Sequence, residues 1–177
     1  MITFHTSEEL NRLHEAEAIE AYPTWTPPSK EELESRRDNY ERIWAQIGSA
    51  LMAHMEQITG LTFEPHIECY VLSGTIRDHS RPLVLKSRYT EEEFIVALCH
   101  ELTHRLMSGS EHAPLPFPNE SQKVRNHVMT YAILSLILSG GQLKVARNTT
   151  NENYKRAWDI IDRDGADKII KDFRKAN

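Results

Sequence analysis

Residues 90–107, TEEEFIVALCHELTHRLM, predict an amphipathic helix from which the rest of the fold can be worked out. Thr90 followed by Glu93 is a capping-box pattern, and the acidic residues between them favour the positive end of a helix dipole. An apolar stripe at a spacing of four residues is formed by Phe94, Leu98, Leu102 and Leu106. Gly109 is expected to end this helix.

Two histidines, His100 and His104, lie on a flank next to that stripe. Residues four apart on a helix project from one face, roughly 6 Å apart along the axis, so both imidazoles can bind one ion. Glu101 is turned by about 100° from His100, where it would flank the ion and could accept a proton from a bound water. Because zinc readily accepts two imidazole nitrogens, the His-Glu-x-x-His pattern predicts a zinc site and metal-assisted hydrolysis. A helix that carries two histidines without a metal is the alternative.

A catalytic zinc usually has three protein ligands and one position open for water, so a third ligand must come from another part of the chain. Glu111 and His112 are the weaker candidates, because they lie in a proline-rich stretch just after Gly109. Glu120 is the favoured third ligand, since it is expected to open the next helix. His127 is the second choice, and the one of the two that does not bind the metal is expected close by.

Hydrolysis through a tetrahedral intermediate also needs a hydrogen-bond donor for the oxyanion. Candidate donors are Tyr131, Tyr154, His127 and Arg125. Tyr131 is favoured among the tyrosines, because it lies four residues beyond His127 and should face the same way. Packing of its ring in the core is the alternative.

The composition favours one domain with a core of its own, because the chain has 177 residues. We expect an N-terminal helical part at 1–60, a sheet and metal-site core at 61–140, and C-terminal helices at 141–177. The formal net charge is −5 and the basic residues are dispersed, which argues against a nucleic-acid partner. The two cysteines, Cys69 and Cys99, do not imply a disulfide framework.

The hydrophobic pattern predicts a cytoplasmic protein without a membrane partner. Residues 1–13 lack the apolar run of a signal peptide, and the most hydrophobic stretch, residues 128–138, is too short to span a bilayer. The oligomeric state is left open by the sequence.

Capping and breaking signals place the other elements along the chain. Helices are predicted at residues 7–21, at 29–59 with a Ser29–Glu32 capping box and Gly60 at its end, and from about Thr150 onward. Asn119 with Gln122 is expected to cap a helix that runs to about Leu138 and ends at Gly140-Gly141.

Two stretches of alternating, β-rich sequence precede the histidine motif. His66–Ser73 and Arg81–Arg88 are predicted to be paired strands joined near Asp78.

The motif His100-Glu101-Leu102-Thr103-His104, followed by the Asn119-Glu120 pair, resembles the gluzincin metallopeptidases, the thermolysin-like branch of the zincins. The resemblance implies an α+β, zincin-like fold in which a small, partly antiparallel sheet accompanies an active-site helix and a glutamate helix, with extra N- and C-terminal helices. It implies Zn²⁺ bound by the two histidines and Glu120, with Glu101 as general base. It also implies a peptide or protein substrate that pairs with an edge strand, for which Arg81–Arg88 is the candidate.

The leading hypothesis is therefore an intracellular zinc metallopeptidase of narrow specificity. A first alternative is a non-catalytic, zinc-stabilised regulatory or partner-binding domain with a zincin-like fold. A closed site with both Glu120 and His127 as ligands would favour that alternative, because no position would remain for water. Hydrolysis of a non-peptide amide by the same metal chemistry is a third possibility.

Overall fold

The computed structural model describes residues 1–108 and 117–176, and within them the chain is α+β, as expected. The strands are β1 (Ile2–His5), β2 (Ile67–Leu72), β3 (His79–Ser80) and β4 (Leu83–Lys86). The helices are α1 (Glu8–Ala21), α2 (Lys30–Thr59), α3 (Glu91–Met107), α4 (Gln122–Ile137), α5 (Gly140–Arg147), α6 (Glu152–Asp164) and α7 (Ala166–Ala176).

The four strands form one small mixed sheet in the order β1-β2-β4-β3. The pairs β1–β2 and β2–β4 are parallel, whereas β3 runs antiparallel to β4. The middle strands are buried at Ile67, Cys69, Val71, Leu83, Val84 and Leu85. The predicted pairing of the two β-rich stretches is confirmed, and β1 is an additional strand that the sequence patterns do not predict.

The prediction that Arg81–Arg88 forms a free edge strand for substrate is wrong. The strand itself is shorter, starts just after Pro82, and lies between β2 and β3. Leu83 and Val84 pair with β3, and the Lys86 N–H donates to the Asp78 carboxylate at 3.0 Å. These contacts take up backbone groups of β4 that an extended peptide would need for pairing.

Both predicted capping boxes are present. The Ser29 N–H donates to Glu32 at 2.9 Å, and the Glu32 N–H donates back to the Ser29 hydroxyl at 3.2 Å. The Thr90 N–H donates to Glu93 at 2.9 Å, with a longer return bond of 3.4 Å from the Glu93 N–H to the Thr90 hydroxyl. These reciprocal bonds satisfy donors that a helix N-terminus otherwise leaves unpaired.

The predicted start of α4 is wrong, whereas its predicted end near Leu138 is confirmed. Ser121, not Asn119, is its N-cap and accepts the Val124 N–H at 3.3 Å, so Glu120 lies in the turn before the helix. At the other end α4 stops at Ile137 with Leu138 as its C-cap, but Gly140, with a φ of +54°, begins α5 instead of ending α4. Gly109, the expected end of α3, lies outside the described residues.

Contacts divide the chain into two compact units, Met1–Ser49 with Glu64–Glu101 and Ala50–Phe63 with Leu102–Asn177, and the divisions fall inside the continuous helices α2 and α3. In the first unit, the ring of Tyr40 stacks on that of Phe94 at 4.1 Å. In the second unit, α4 packs against α6 and α7 and is buried along most of its length. Within the described residues, no helix combines the length and apolarity needed to cross a membrane.

Candidate metal centre

Three histidines, His100, His104 and His127, form a cluster whose ligand atoms all lie within 4.8 Å of one another. His100 and His104 are one turn apart on α3, as the motif predicts, and His127 comes from the first half of α4. Three nitrogens that bind one zinc tetrahedrally at about 2.1 Å stand about 3.4 Å apart, a separation within the 4.8 Å limit of this cluster. Among the described residues, these three imidazoles could hold one metal ion.

The imidazole of His127 has a defined tautomer. Its Nδ1 lies 2.7 Å from the carbonyl oxygen of Lys123, one turn earlier on α4. Since a carbonyl oxygen only accepts, Nδ1 must carry the proton, and Nε2 keeps its lone pair. A backbone carbonyl on the second ring nitrogen is the usual way in which proteins orient a histidine metal ligand.

Burial favours the uncharged form of His104 and His127. Burial, reinforced by the neighbouring His127, lowers the pKa of His104 to about 4. Burial also lowers the pKa of His127. The rings of His104 and His127 meet edge to face with centroids 5.0 Å apart. Because a metal binds the neutral imidazole, little proton competition would have to be overcome at these two residues.

Glu101, between the two motif histidines, has a carboxyl group that takes up a proton near neutral pH. Burial raises the pKa of Glu101 to about 8, with a further increase from the charge of Asp78 and a partial decrease from Lys86. A general base works best when its pKa lies near the operating pH, so this environment suits a carboxylate that receives and releases a proton. The charge of a cation bound nearby would lower this pKa and favour the carboxylate form.

Glu120, the favoured third ligand from the sequence, is not brought into the cluster. Its Oε1 accepts hydrogen bonds from the Arg156 guanidinium on α6, at 3.1 Å from Nε and 2.5 Å from Nη2. This hydrogen bond lowers the pKa of Glu120. Ligation by Glu120 would therefore require its carboxylate to move toward the cluster, whereas His127 already lies beside His104.

The candidate oxyanion donors occupy different environments. Tyr131 is buried on α4, where its ring stacks on Trp158 at 4.7 Å, and burial raises its pKa. Tyr154, near the start of α6, is half-buried and stacks on His127 at 4.2 Å. Arg125 donates to the Gln122 side chain at 2.6 Å. Of these groups, Tyr154 has the closest ring contact with a cluster histidine.

Sequence reasoning reached His100 and His104 through the helix motif and named His127 as the second choice for the third ligand, but it missed the contact between Tyr154 and His127. The two residues are 27 positions apart and lie on different helices, so no local spacing reports the contact. Glu111 and His112, the weaker ligand candidates, lie outside the described residues.

Comparison with known proteins gives no family assignment for the chain: no protein-family model, curated protein or solved structure matches it.

Proposed function

We propose that this protein is a zinc-dependent hydrolase, and specifically a metallopeptidase, in which His100, His104 and His127 hold the metal. The observation that carries the proposal is the approach of the three ligand atoms to within 4.8 Å, with Glu101 next to His100 on the same helix. The zincin-like fold is part of the proposal. The proposed ligand set differs from the gluzincin pattern, because its third ligand is a histidine and not a glutamate.

The number of ligands among the described residues favours catalysis over a purely structural zinc. Among the described residues the cluster offers three ligands, and Glu120, which a closed site would need, is bonded to Arg156. Structural zinc sites are usually closed by four protein ligands, whereas catalytic sites keep one position for water or substrate.

The protein's own residues supply proton transfer and orientation. A bound zinc would contribute a Lewis acid that polarises a substrate carbonyl and makes water more acidic. The Glu101 carboxylate accepts the proton of the attacking water and donates it to the leaving amine as the bond to the carbonyl carbon breaks. The neutral imidazoles of His104 and His127 stay unprotonated in the pH range where Glu101 does this work.

The proposal is tested by Glu101→Gln, which keeps the shape of the side chain but removes its basicity. We expect this variant to retain about one zinc per chain and to lose peptide hydrolysis by at least about 100-fold, measured with a peptide library and mass spectrometry. Glu92→Gln is the matched control, because Glu92 is an exposed glutamate in the first turn of the same helix.

Three results would count against the proposal. If the wild-type protein takes up no zinc after dialysis against zinc-containing buffer, the proposed zinc site is ruled out. Zinc-loaded protein whose Glu101→Gln variant hydrolyses peptides as fast as the wild type would remove Glu101 from the mechanism. Zinc-loaded wild type that cleaves no peptide would favour the non-catalytic, zinc-stabilised domain.

A further inference from the structure

The ring of Tyr154 lies face to face with the imidazole of His127. Their centroids are 4.2 Å apart, and the ring planes are inclined by 29°. Tyr154 belongs to the first turn of α6, whereas His127 belongs to α4, so the contact joins two helices that pack against each other. The Lys123 ammonium lies 5.7 Å from the Tyr154 centroid, and the Lys123 carbonyl accepts the His127 Nδ1–H.

The hydrogen bond and the stacking contact restrict different motions of His127. The bond to the Lys123 carbonyl fixes the direction of the Nδ1–H but leaves the ring free to rock about that direction. A flat aromatic surface against one face of the imidazole limits the rocking, because tilting would press the ring into its neighbour. The lone pair of Nε2 lies in the ring plane, so the orientation of the plane determines where a metal can be bound.

Tyr154 is itself held by other aromatic rings. It meets the ring of Tyr131 edge to face at 5.7 Å, and Tyr131 stacks on Trp158 at 4.7 Å. The Trp158 indole N–H donates to the Ala146 carbonyl at 3.2 Å, and the Arg147 guanidinium lies 4.2 Å from the Trp158 ring centroid. We refer to Tyr154, Tyr131 and Trp158 as the aromatic series.

Two ion pairs connect α6 to neighbouring parts of the chain. Arg147, which covers Trp158, makes two bonds to the Asp162 carboxylate, at 3.0 and 2.7 Å. Arg156, two residues after Tyr154, is bonded to Glu120 in the turn before α4. These partly exposed contacts link α6, which carries Tyr154, to α5 and to the turn before α4.

We propose that Tyr154 is a positioning residue of the metal centre, and that its ring, not its hydroxyl group, holds His127 in the orientation that binds zinc. This inference rests on the proposed function, because it assumes that His127 is a ligand. It assigns to α6, which contributes no residue to the histidine cluster, a role in metal affinity.

The size of the expected effect follows from the fraction of time that His127 spends in the binding orientation. An apparent dissociation constant rises in inverse proportion to the population of the binding-competent state. Loss of a residue that orients a ligand typically weakens metal binding by about 10- to 100-fold. Since the Lys123 bond remains when Tyr154 is replaced, we expect the lower end of that range, about tenfold.

The test compares Tyr154→Phe, which keeps the ring, with Tyr154→Leu, which removes it. Zinc affinity of the full chain is measured by competition with a chromophoric chelator, and the geometry of the site by the visible absorption of the Co²⁺-loaded protein. Tyr154→Phe should match the wild type within about twofold, whereas Tyr154→Leu should bind zinc about tenfold more weakly and shift the Co²⁺ bands. Tyr22→Leu, at an exposed tyrosine just after α1, is the matched control.

Three outcomes would overturn the inference. Wild-type zinc affinity in Tyr154→Leu would show that the ring is dispensable, and equal losses in Tyr154→Phe and Tyr154→Leu would assign the effect to the hydroxyl group. Both results leave the proposed function standing, because the wild type still binds zinc. A wild type that binds no zinc at all overturns the proposed function and the inference together.

Folding of each metal-free variant is checked by circular dichroism before the titration. If Tyr154→Leu does not fold, Tyr154→Met, which places a long flexible side chain at this half-buried position, carries the same expectation of about tenfold weaker binding.

Discussion

At the scale of single residues, hydrogen bonding separates the two sequence candidates for the third zinc ligand. His127 has one ring nitrogen committed to the Lys123 carbonyl and the other left as an acceptor. Glu120 has an oxygen committed to the Arg156 guanidinium. A side chain that already has a strong charged partner outside the cluster is a poorer ligand than one that is oriented within it.

The first prediction contrasts His127→Ala with Glu120→Ala. We expect Glu120→Ala to keep about one zinc per chain and His127→Ala to lose most of its zinc during dialysis against a mild chelator, because three ligands are the usual minimum for a catalytic site. Zinc is measured by atomic emission beside untreated wild type. Loss of zinc in Glu120→Ala, with retention in His127→Ala, would reverse the assignment and restore the gluzincin ligand set.

Asp78 is a second residue whose contacts allow a quantitative prediction. It accepts hydrogen bonds from the Lys86 N–H at 3.0 Å and from the Tyr89 hydroxyl, and only 14% of its side chain is exposed. Asp78→Ala would leave both donors without this acceptor, so we expect the free energy of unfolding to fall by about 2–4 kcal/mol in urea titrations.

The control for Asp78 is Asp38→Ala. Asp38 pairs with Arg37 at 2.7 Å but is 63% exposed, so its removal should change the free energy of unfolding by less than about 0.5 kcal/mol. Similar small losses in both variants would mean that the buried bonds of Asp78 contribute little to stability.

At the scale of elements, the start of α4 gives a prediction with its own control inside the chain. Ser121 accepts the Val124 N–H and is the N-cap, whereas Asn119 lies two residues earlier, in an exposed turn. Ser121→Ala should lower the free energy of unfolding by about 1 kcal/mol, because it removes the acceptor for a helix N-terminal donor. Asn119→Ala should leave it nearly unchanged, as measured by thermal and urea unfolding. A larger loss in Asn119→Ala would make Asn119 the cap in solution.

The sequence predicts elements well where their signals are local. The capping boxes at Ser29 and Thr90 depend on residues three apart, and the reciprocal bonds form at both places. Helix periodicity likewise places His100 and His104 on one face before any tertiary contact is considered.

Local signals do not report partners that are distant in sequence. Nothing near Glu120 indicates that Arg156, 36 residues later, will take its carboxylate. β4 runs parallel to β2 and pairs with β3 on its other side. Both features depend on the path of the chain between β2 and β4, which the alternating pattern of β4 does not report. The predicted edge strand and the favoured third ligand both depended on information of this kind.

At the scale of the whole molecule, metal binding at the proposed site would also stabilise the folded state. His104 and His127 come from α3 and α4, which are separated along the chain, and a metal bound by both would hold these helices together. An ion that binds only the folded state stabilises it by an amount set by its concentration relative to its dissociation constant. Metal removal therefore has a measurable consequence even without a known substrate.

The last prediction is a zinc-dependent melting temperature. At a free zinc concentration 100 times the dissociation constant, the folded state gains about 2.7 kcal/mol. For a chain of this size, 1 kcal/mol corresponds to about 2–4 °C, so the melting temperature should rise by about 5–10 °C from chelator-treated to zinc-loaded protein. His127→Ala should show little of this rise. An equal rise in the wild type and in His127→Ala would place the stabilising zinc elsewhere on the protein, because a site that lacks its third ligand should not retain the full effect.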